Sequence, residues 1–264
     1  MFRAPVDDLV FQLRHVAGLA DVAALDGFPD GVDELVEPIL AEAAKLAETA
    51  IAPLDEAGDR LGARLEDGRV RLPDGYEAAF AALADGGWKG LPFPEDLGGQ
   101  NLPWALTFAV NETLYAANLG FSNCSLLTQG AIEALWHHGT AEQQRRYLRG
   151  LTEGRWSGTM CLTEPQAGTD LGAVATRAEP DGAGWRIFGT KIYITFGEHE
   201  LADNIVHLVL ARLPDAPAGT RGLSLFVVPK YRVDAEGRPG ARNDVRCLSL
   251  EHNLGSHVSP TCVL

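Results

Sequence analysis

The stretch Met160-Cys161-Leu162-Thr163-Glu164-Pro165-Gln166-Ala167-Gly168-Thr169-Asp170-Leu171-Gly172 is the part of the chain best equipped for chemistry. It reads as a strand, Met160 to Thr163, that runs into a turn built from Gly, Pro, Thr and Asp. Backbone N–H groups in such a turn form a concavity that attracts anions, and a threonine hydroxyl adds a donor. A decorated hairpin loop has the same composition, so the segment alone leaves two readings open. Cys124, Cys161, Cys247 and Cys262 lie far apart, with no C-x-x-C and no matching histidine spacing. They read as buried free thiols, and no metal site is expected. His137 and His138 fall near a helix end, where the negative end of the dipole favours imidazolium, so they read as a cap without chemistry.

The elements that must position that segment differ in texture on its two sides. Before it, helices dominate. From Asp33 to about Pro53 the residues Leu35, Ile39, Ala43, Leu46, Ala50 and Leu54 draw one stripe, with the regular helix expected to begin near Pro38. Asp67-Gly68 suits a small hairpin between 64–65 and 70–72. A second helix is expected from Tyr76 to Ala84, a third opening at Pro103 and ending at Asn118 or Gly120, and a fourth from about Ser125 to His138. Thr140 and Gln143 then form a capping box. From Trp156 the segments become short, β-branched and alternating, separated by Gly, Pro and Asp, as in an antiparallel sheet or barrel. The reading is an α+β chain: an all-helical N-terminal domain over 1–155, with a lead segment 1–31, then an antiparallel, barrel-like β-domain over 156–264. The final PTCVL reads as a strand cut off in mid-course, leaving an unpaired edge.

Totals set further bounds. The 264 residues are 46% hydrophobic, enough for a sizeable core in one large or two medium domains. A net charge of -14 offers no basic face for nucleic acid. Any anionic ligand must then be held by local devices such as backbone N–H groups. The opening MFRAPVDDLVFQLRHV carries acids among its apolar residues, unlike a signal peptide, and no apolar run approaches membrane-spanning length. A soluble, reducing, cytoplasmic setting is expected.

Three ordered segments resemble the acyl-CoA dehydrogenase family. C-L-T-E-P-Q-A-G-T-D-L-G at 161–172 is similar to its T-E-P-x-A-G-S-D signature, and G-T-K-I-Y-I-T-F-G at 189–197 to G-x-K-x-W-I-T-N-G. G-L-S-L-F-V-V-P at 222–229 matches a strand of the family. The opening M-F-R-A-P-V-D-D and the later A-R-N-D-V-R-C-L-S-L-E-H-N-L-G resemble in particular the bacterial branch around 3-methylmercaptopropionyl-CoA dehydrogenase, with Asn253 where that branch usually has Lys.

The resemblance implies FAD as cofactor, seated on the middle β-domain, and an acyl-CoA as substrate. Thr163 would hydrogen-bond the pyrimidine edge of the flavin, with Leu162 and Met160 lining that edge. Thr169 would bind the FAD diphosphate or the CoA portion. Tyr193 would pack on the ring plane beside Ile194, and Thr195 would place its hydroxyl near flavin N5. Without the resemblance, Tyr193 and Ile194 are simply neighbours on a strand, and threonine is common there. The implied reaction removes an α-proton and a β-hydride from the thioester. Its base is a Glu in a third, helical domain, and no Glu of this chain matches that motif, so no catalytic residue is named. Electron-transfer flavoprotein as acceptor and a homo-oligomer of the full-length protein are also implied. A non-catalytic flavin or acyl-CoA-binding module and an acyl-CoA oxidase fragment are the alternatives.

Overall fold

Apolar spacing sets the helices in the computed structural model, which describes residues 2–264. A lead segment carries α1 (Val6–Phe11) and α2 (Leu19–Ala23), joined by a wide turn over Gln12–Val16. The long α3 (Val32–Leu46) buries Val32, Val36, Leu40, Ala43 and Ala44. This corrects the expected stripe, because Leu35 is 43% exposed and the neighbouring face turns inward. Two apolar stripes overlap on this helix at the same spacing, and only packing against other elements selects between them. The helix also starts ahead of Pro38 rather than at it. Pro38 and Glu34 are exposed, so the Glu34 carbonyl that the proline leaves without an N–H faces solvent. Toward Pro53 the helical ladder widens over Ala47–Ile51, tightens over Ala52–Leu54, and resumes as α4 (Asp55–Leu61).

The N-terminal part is not purely helical, since β1 (Arg64–Glu66) and β2 (Arg69–Arg71) form a hairpin. Its turn places both Asp67 and Gly68 at positive φ, 49° and 77°, as the Asp-Gly pair favours. Next come α5 (Tyr76–Asp85) and α6 (Trp104–Ala117), the latter directly after Pro103. Asn118 ends α6 and caps α7 (Leu119–His138), its Oδ1 accepting from the Phe121 N–H at 3.0 Å. Hence α7 begins earlier than expected and contains Gly120. The capping box of α8 (Ala141–Thr152) forms in both directions, at 3.2 and 2.8 Å. The expected histidine cap is replaced. The Gln144 amide donates to the carbonyls of Leu135, Trp136 and Gly139, while His137 pairs with Glu133.

Strands follow: β3 (Trp156–Cys161), β4 (Arg177–Asp181), β5 (Gly184–Phe188), β6 (Ile194–Thr195), β7 (Asn204–Arg212), β8 (Leu223–Pro229), β9 (Tyr231–Val233), β10 (Pro239–Arg242), β11 (Ser249–Leu250) and β12 (Thr261–Val263). β7 is the hub. It runs parallel to β3, with Trp156 opposite Asn204 and Cys161 opposite Val209, and antiparallel to β8. β4 meets it in parallel at Arg212 and carries β5 antiparallel. The α+β layout stands, but the sheet is mixed rather than antiparallel. The long connection between β3 and β7 lets the chain return in the same direction. β12, at the end of the chain, is paired on both sides. It lies between β11 and β6, and Leu264 exchanges both backbone hydrogen bonds with Lys191, so this strand has no open edge.

Helices and sheet share apolar cores. Ala131, Ile132, Leu135, Leu148 and Leu151 of α7 and α8 pack on Trp156, Val206 and Leu208. Gly158 makes the close approach possible, since a Cβ there would stand 2.4 Å from that of Ala131. On the other face of the sheet, Cys161, Val209, Ile194, Cys262, Cys247 and Val70 form a separate cluster. All four cysteines are buried and free, as expected.

Candidate functional site

Two distant segments meet where β3 ends. Past Cys161 the chain leaves the sheet through Leu162 and Thr163 and folds back over Glu164–Ala167, whose backbones bond each other at 2.9 and 3.0 Å. The second segment, 191–196, runs alongside, with the Ile192 N–H donating to the Thr163 carbonyl at 2.9 Å. Glu164 and Lys191 lock the two together with side chains only 3% and 5% exposed. The Lys191 ammonium donates to Glu164 Oε1 at 2.8 Å and to the Leu162 carbonyl at 2.9 Å. Glu164 also accepts from the N–H groups of Ala175 and Thr176, at 2.8 and 3.0 Å, and from the Gln166 amide. Burial alone would push its carboxyl up, but Lys191 and the hydrogen bonds from 175–176 outweigh this and hold it at about 2. A carboxylate so saturated is a poor proton acceptor.

Around Thr195 the backbone bends twice into the left-handed region at residues other than glycine, Tyr193 at φ 60° and Phe196 at φ 50°. Each such bend costs about 1–2 kcal/mol. Neighbours hold them: Lys191 is bonded to Leu264, Thr195 pairs with Thr261, and the Phe196 N–H donates to the Pro260 carbonyl at 2.8 Å. The result is a Tyr193 side chain turned outward, 56% exposed, just ahead of the buried Ile194 and Phe196.

Of the residues singled out in the sequence, Leu162, Thr163, Tyr193 and Thr195 gather along this seam. Ile194 gathers there by its backbone only, because its side chain is 2% exposed and packs with Cys161 and Cys262. The Met160 side chain lies on the opposite sheet face, against the cluster of Trp156, Val206 and Leu208. Thr169 sits on the exposed turn, and no hydrogen bond joins it to Thr163 or Thr195 among the described residues. Arg212 fastens that turn from below, donating to the carbonyls of Gly172 and Val174 at 2.6 Å and of Gly219 at 2.9 Å.

The seam carries spare donors. Among the described residues, the hydroxyls of Thr163, Thr169 and Thr195 and the N–H groups of Gly168 and Thr169 have no hydrogen-bond partner in the chain. Hydroxyls beside an exposed aromatic ring, with free N–H groups on a nearby turn, match the needs of a flavin rim and a diphosphate. The residues present therefore fit FAD.

Sequence reasoning missed the residues that build the seam. Glu164, Lys191 and Arg212 were legible only as charges set among apolar and small residues at strand ends, an acid in one motif and a base in the other. A further cluster lies beyond Thr195. Glu198 pairs with Lys230 and with Arg242, the latter at 2.9 Å, while His199 meets Ser157 at 2.9 Å and His207 meets Thr159 at 2.7 Å. His199 Nδ1 accepts from the Leu201 N–H, so its Nε2–H donates to Ser157 and cannot serve it as a base. A cavity of about 570 Å³ lies elsewhere, lined by Asp59, Arg60, His252, His257 and Ser259 among others, and by none of the seven singled-out residues.

Helices running into a mixed sheet, with two signature segments clasped at its edge, define the class. The family model for the acyl-CoA dehydrogenase N-terminal domain matches residues 34–155 and that for the middle domain matches 159–263, so the chain belongs to the acyl-CoA dehydrogenase family. Among individual proteins, the chain is 48% identical over its whole length to the 3-methylmercaptopropionyl-CoA dehydrogenase of Ruegeria pomeroyi, and it spans 45% of that relative. The fold is shared with an acyl-CoA dehydrogenase from Bacillus anthracis solved with FAD, at a TM-score of 0.69, 21% identity and coverage of 89% of this chain and 36% of that one. It is shared too with a chain from work on the electron transferring flavoprotein of Acidaminococcus fermentans, at 0.68 and 25%, covering 90% and 56%.

Proposed function

We propose that this chain supplies the FAD-binding face of an enzyme that dehydrogenates an acyl-CoA thioester between its α and β carbons. The observation that carries the reading is the seam itself, with partnerless hydroxyls at Thr163 and Thr195 flanking an outward-turned Tyr193. Thr163 and Thr195 would bond the polar rim of the isoalloxazine, Tyr193 would pack on its plane, and Leu162, Ile194 and Met160 would contribute backbone atoms. Thr169, with the N–H groups of its turn, would hold the diphosphate or the CoA portion. FAD, when bound, supplies the hydride acceptor.

Within the chain, residues bind and orient; none is assigned proton abstraction. Glu164 is unsuited to it, since its carboxylate is buried, multiply bonded and held at about 2. An electron-transfer flavoprotein as acceptor, a role in β-oxidation and a cytoplasmic setting complete the reading, the last supported by four free buried thiols. Among the described residues no helix is long and apolar enough to cross a membrane. A homo-oligomer of the full-length protein is supported by exposed Phe108, Leu119 and Leu126 on α6 and α7. A domain division between Arg155 and Trp156 is supported by the change from helix to strand there.

The test uses the full-length protein. It should purify yellow, and acyl-CoA substrates should bleach the flavin. Thr195→Val should retain FAD yet slow the bleaching. Unchanged reduction kinetics in that variant would remove Thr195 from the site, and a colourless protein that takes up no FAD would sink the reading.

A further inference from the structure

We propose that Glu164 and Lys191 form a positioning pair for the flavin-binding face, fixing the spacing of Thr163 and Thr195 and holding Tyr193 in its left-handed conformation. The inference rests on the flavin reading above. Lys191 is the junction. Its ammonium reaches the Leu162 carbonyl as well as Glu164, so it is tied to the residue before Thr163. Its backbone N–H and carbonyl are both bonded to Leu264, which fixes the direction of the chain entering Tyr193. One residue further, the Ile192 N–H is bonded to the Thr163 carbonyl. A left-handed tyrosine persists only where its surroundings over-determine it, and these restraints lie one and two residues ahead of it. On the other side, Glu164 is anchored by the backbone of Ala175 and Thr176, so the pair also sets the turn that carries Thr169.

The molecule contains its own control. Glu198 and Lys230 are also paired, each 5% exposed, but their hydrogen bonds go to His199, Ile205, Arg242 and Asn243 and to none of the seam residues. Two pairs of like chemistry and like burial thus differ in what they hold.

The experiment titrates FAD into the apo form of the full-length protein, following flavin absorbance and fluorescence, with the unfolding midpoint measured in parallel. Glu164→Gln combined with Lys191→Met removes both charges together and leaves no lone buried ion. It should weaken FAD binding by about tenfold or more and move the flavin band toward that of free FAD. Glu198→Gln combined with Lys230→Met should lower the unfolding midpoint comparably while leaving FAD affinity within about twofold of wild type. Should the first variant fail to fold, Lys191→Arg decides the matter. Arginine keeps the charge, but its planar fork does not reproduce the two bonds of the ammonium. It should fold and bind FAD several-fold more weakly, and wild-type affinity would overturn the proposal. Equal affinity in wild type and the Glu164/Lys191 variant would overturn it while leaving the flavin reading intact. A wild-type protein that takes up no FAD would remove both.

Discussion

Lys191 and Glu198 stand on one short stretch of chain, and each ends in a buried ion pair, yet the two regions they organise are opposites. The Glu164–Lys191 pair lies beneath an open seam, with a half-exposed tyrosine and hydroxyls that have no partner in the chain. The Glu198–Lys230 pair lies in a sealed seam, where Ser157, Thr159, His199 and His207 satisfy one another. The difference teaches that polar saturation marks a structural interior, whereas saturation directly under unsatisfied donors marks a surface being presented. Buried ion pairs contribute modestly to stability for their cost in desolvation. What these two contribute is geometry.

The largest effect that separates or equates the regions should come from breaking each pair on one side. Lys191→Ala leaves Glu164 charged without its ammonium, and Lys230→Ala leaves Glu198 with Arg242 alone. Each should lose about 3–5 kcal/mol in urea unfolding, and a loss under ~1 kcal/mol would show that the pair is not sealed as described.

Acid should then sort the regions by order of failure. His207 is held down to about 3 by burial and by the Lys230 and Arg242 charges, and His199 is lowered by burial and by Lys230 and Lys89. Both titrate near 6.5 when unfolded, so the unfolded chain takes up protons that the fold refuses. The His207 contribution is full above 6.5 and is lost as the pH falls toward about 3, and the His199 contribution is likewise full above 6.5 and lost on acidification. The Glu164 contribution is full above its ordinary 4.5 and is lost as the pH falls through about 2. Stability should therefore decline as the pH falls from about 6.5 toward about 3, and His207→Asn should flatten that decline. An identical slope in the variant would refute the assignment.

The smallest effect concerns strain. Tyr193→Gly frees a left-handed position and should raise stability by about 1 kcal/mol while weakening FAD binding. A destabilised glycine variant would mean that the ring packs on the fold rather than facing a ligand.

Much of this was legible beforehand where a local rule suffices. The Thr140–Gln143 capping box, the Asp67-Gly68 turn and the switch to strands at Trp156 each depend on a few adjacent residues. The inward stripe of α3 was misplaced because two apolar stripes of equal spacing overlap on it, and only tertiary contacts choose between them. Parallel pairing of β3 with β7 was hidden, since strand direction depends on a long connection and not on alternation. Along the seam, the hydroxyl and aromatic positions were visible through resemblance. Glu164 and Lys191 were not, because their role exists only when segments far apart in sequence are placed side by side.

The most direct test of the account is amide hydrogen exchange on the full-length protein with and without FAD. Protection should rise at 162–169 and 192–195 and stay unchanged through 198–207, where the sealed network lies. Protection confined to other parts of the chain, with 162–169 and 192–195 exchanging alike in both states, would contradict it.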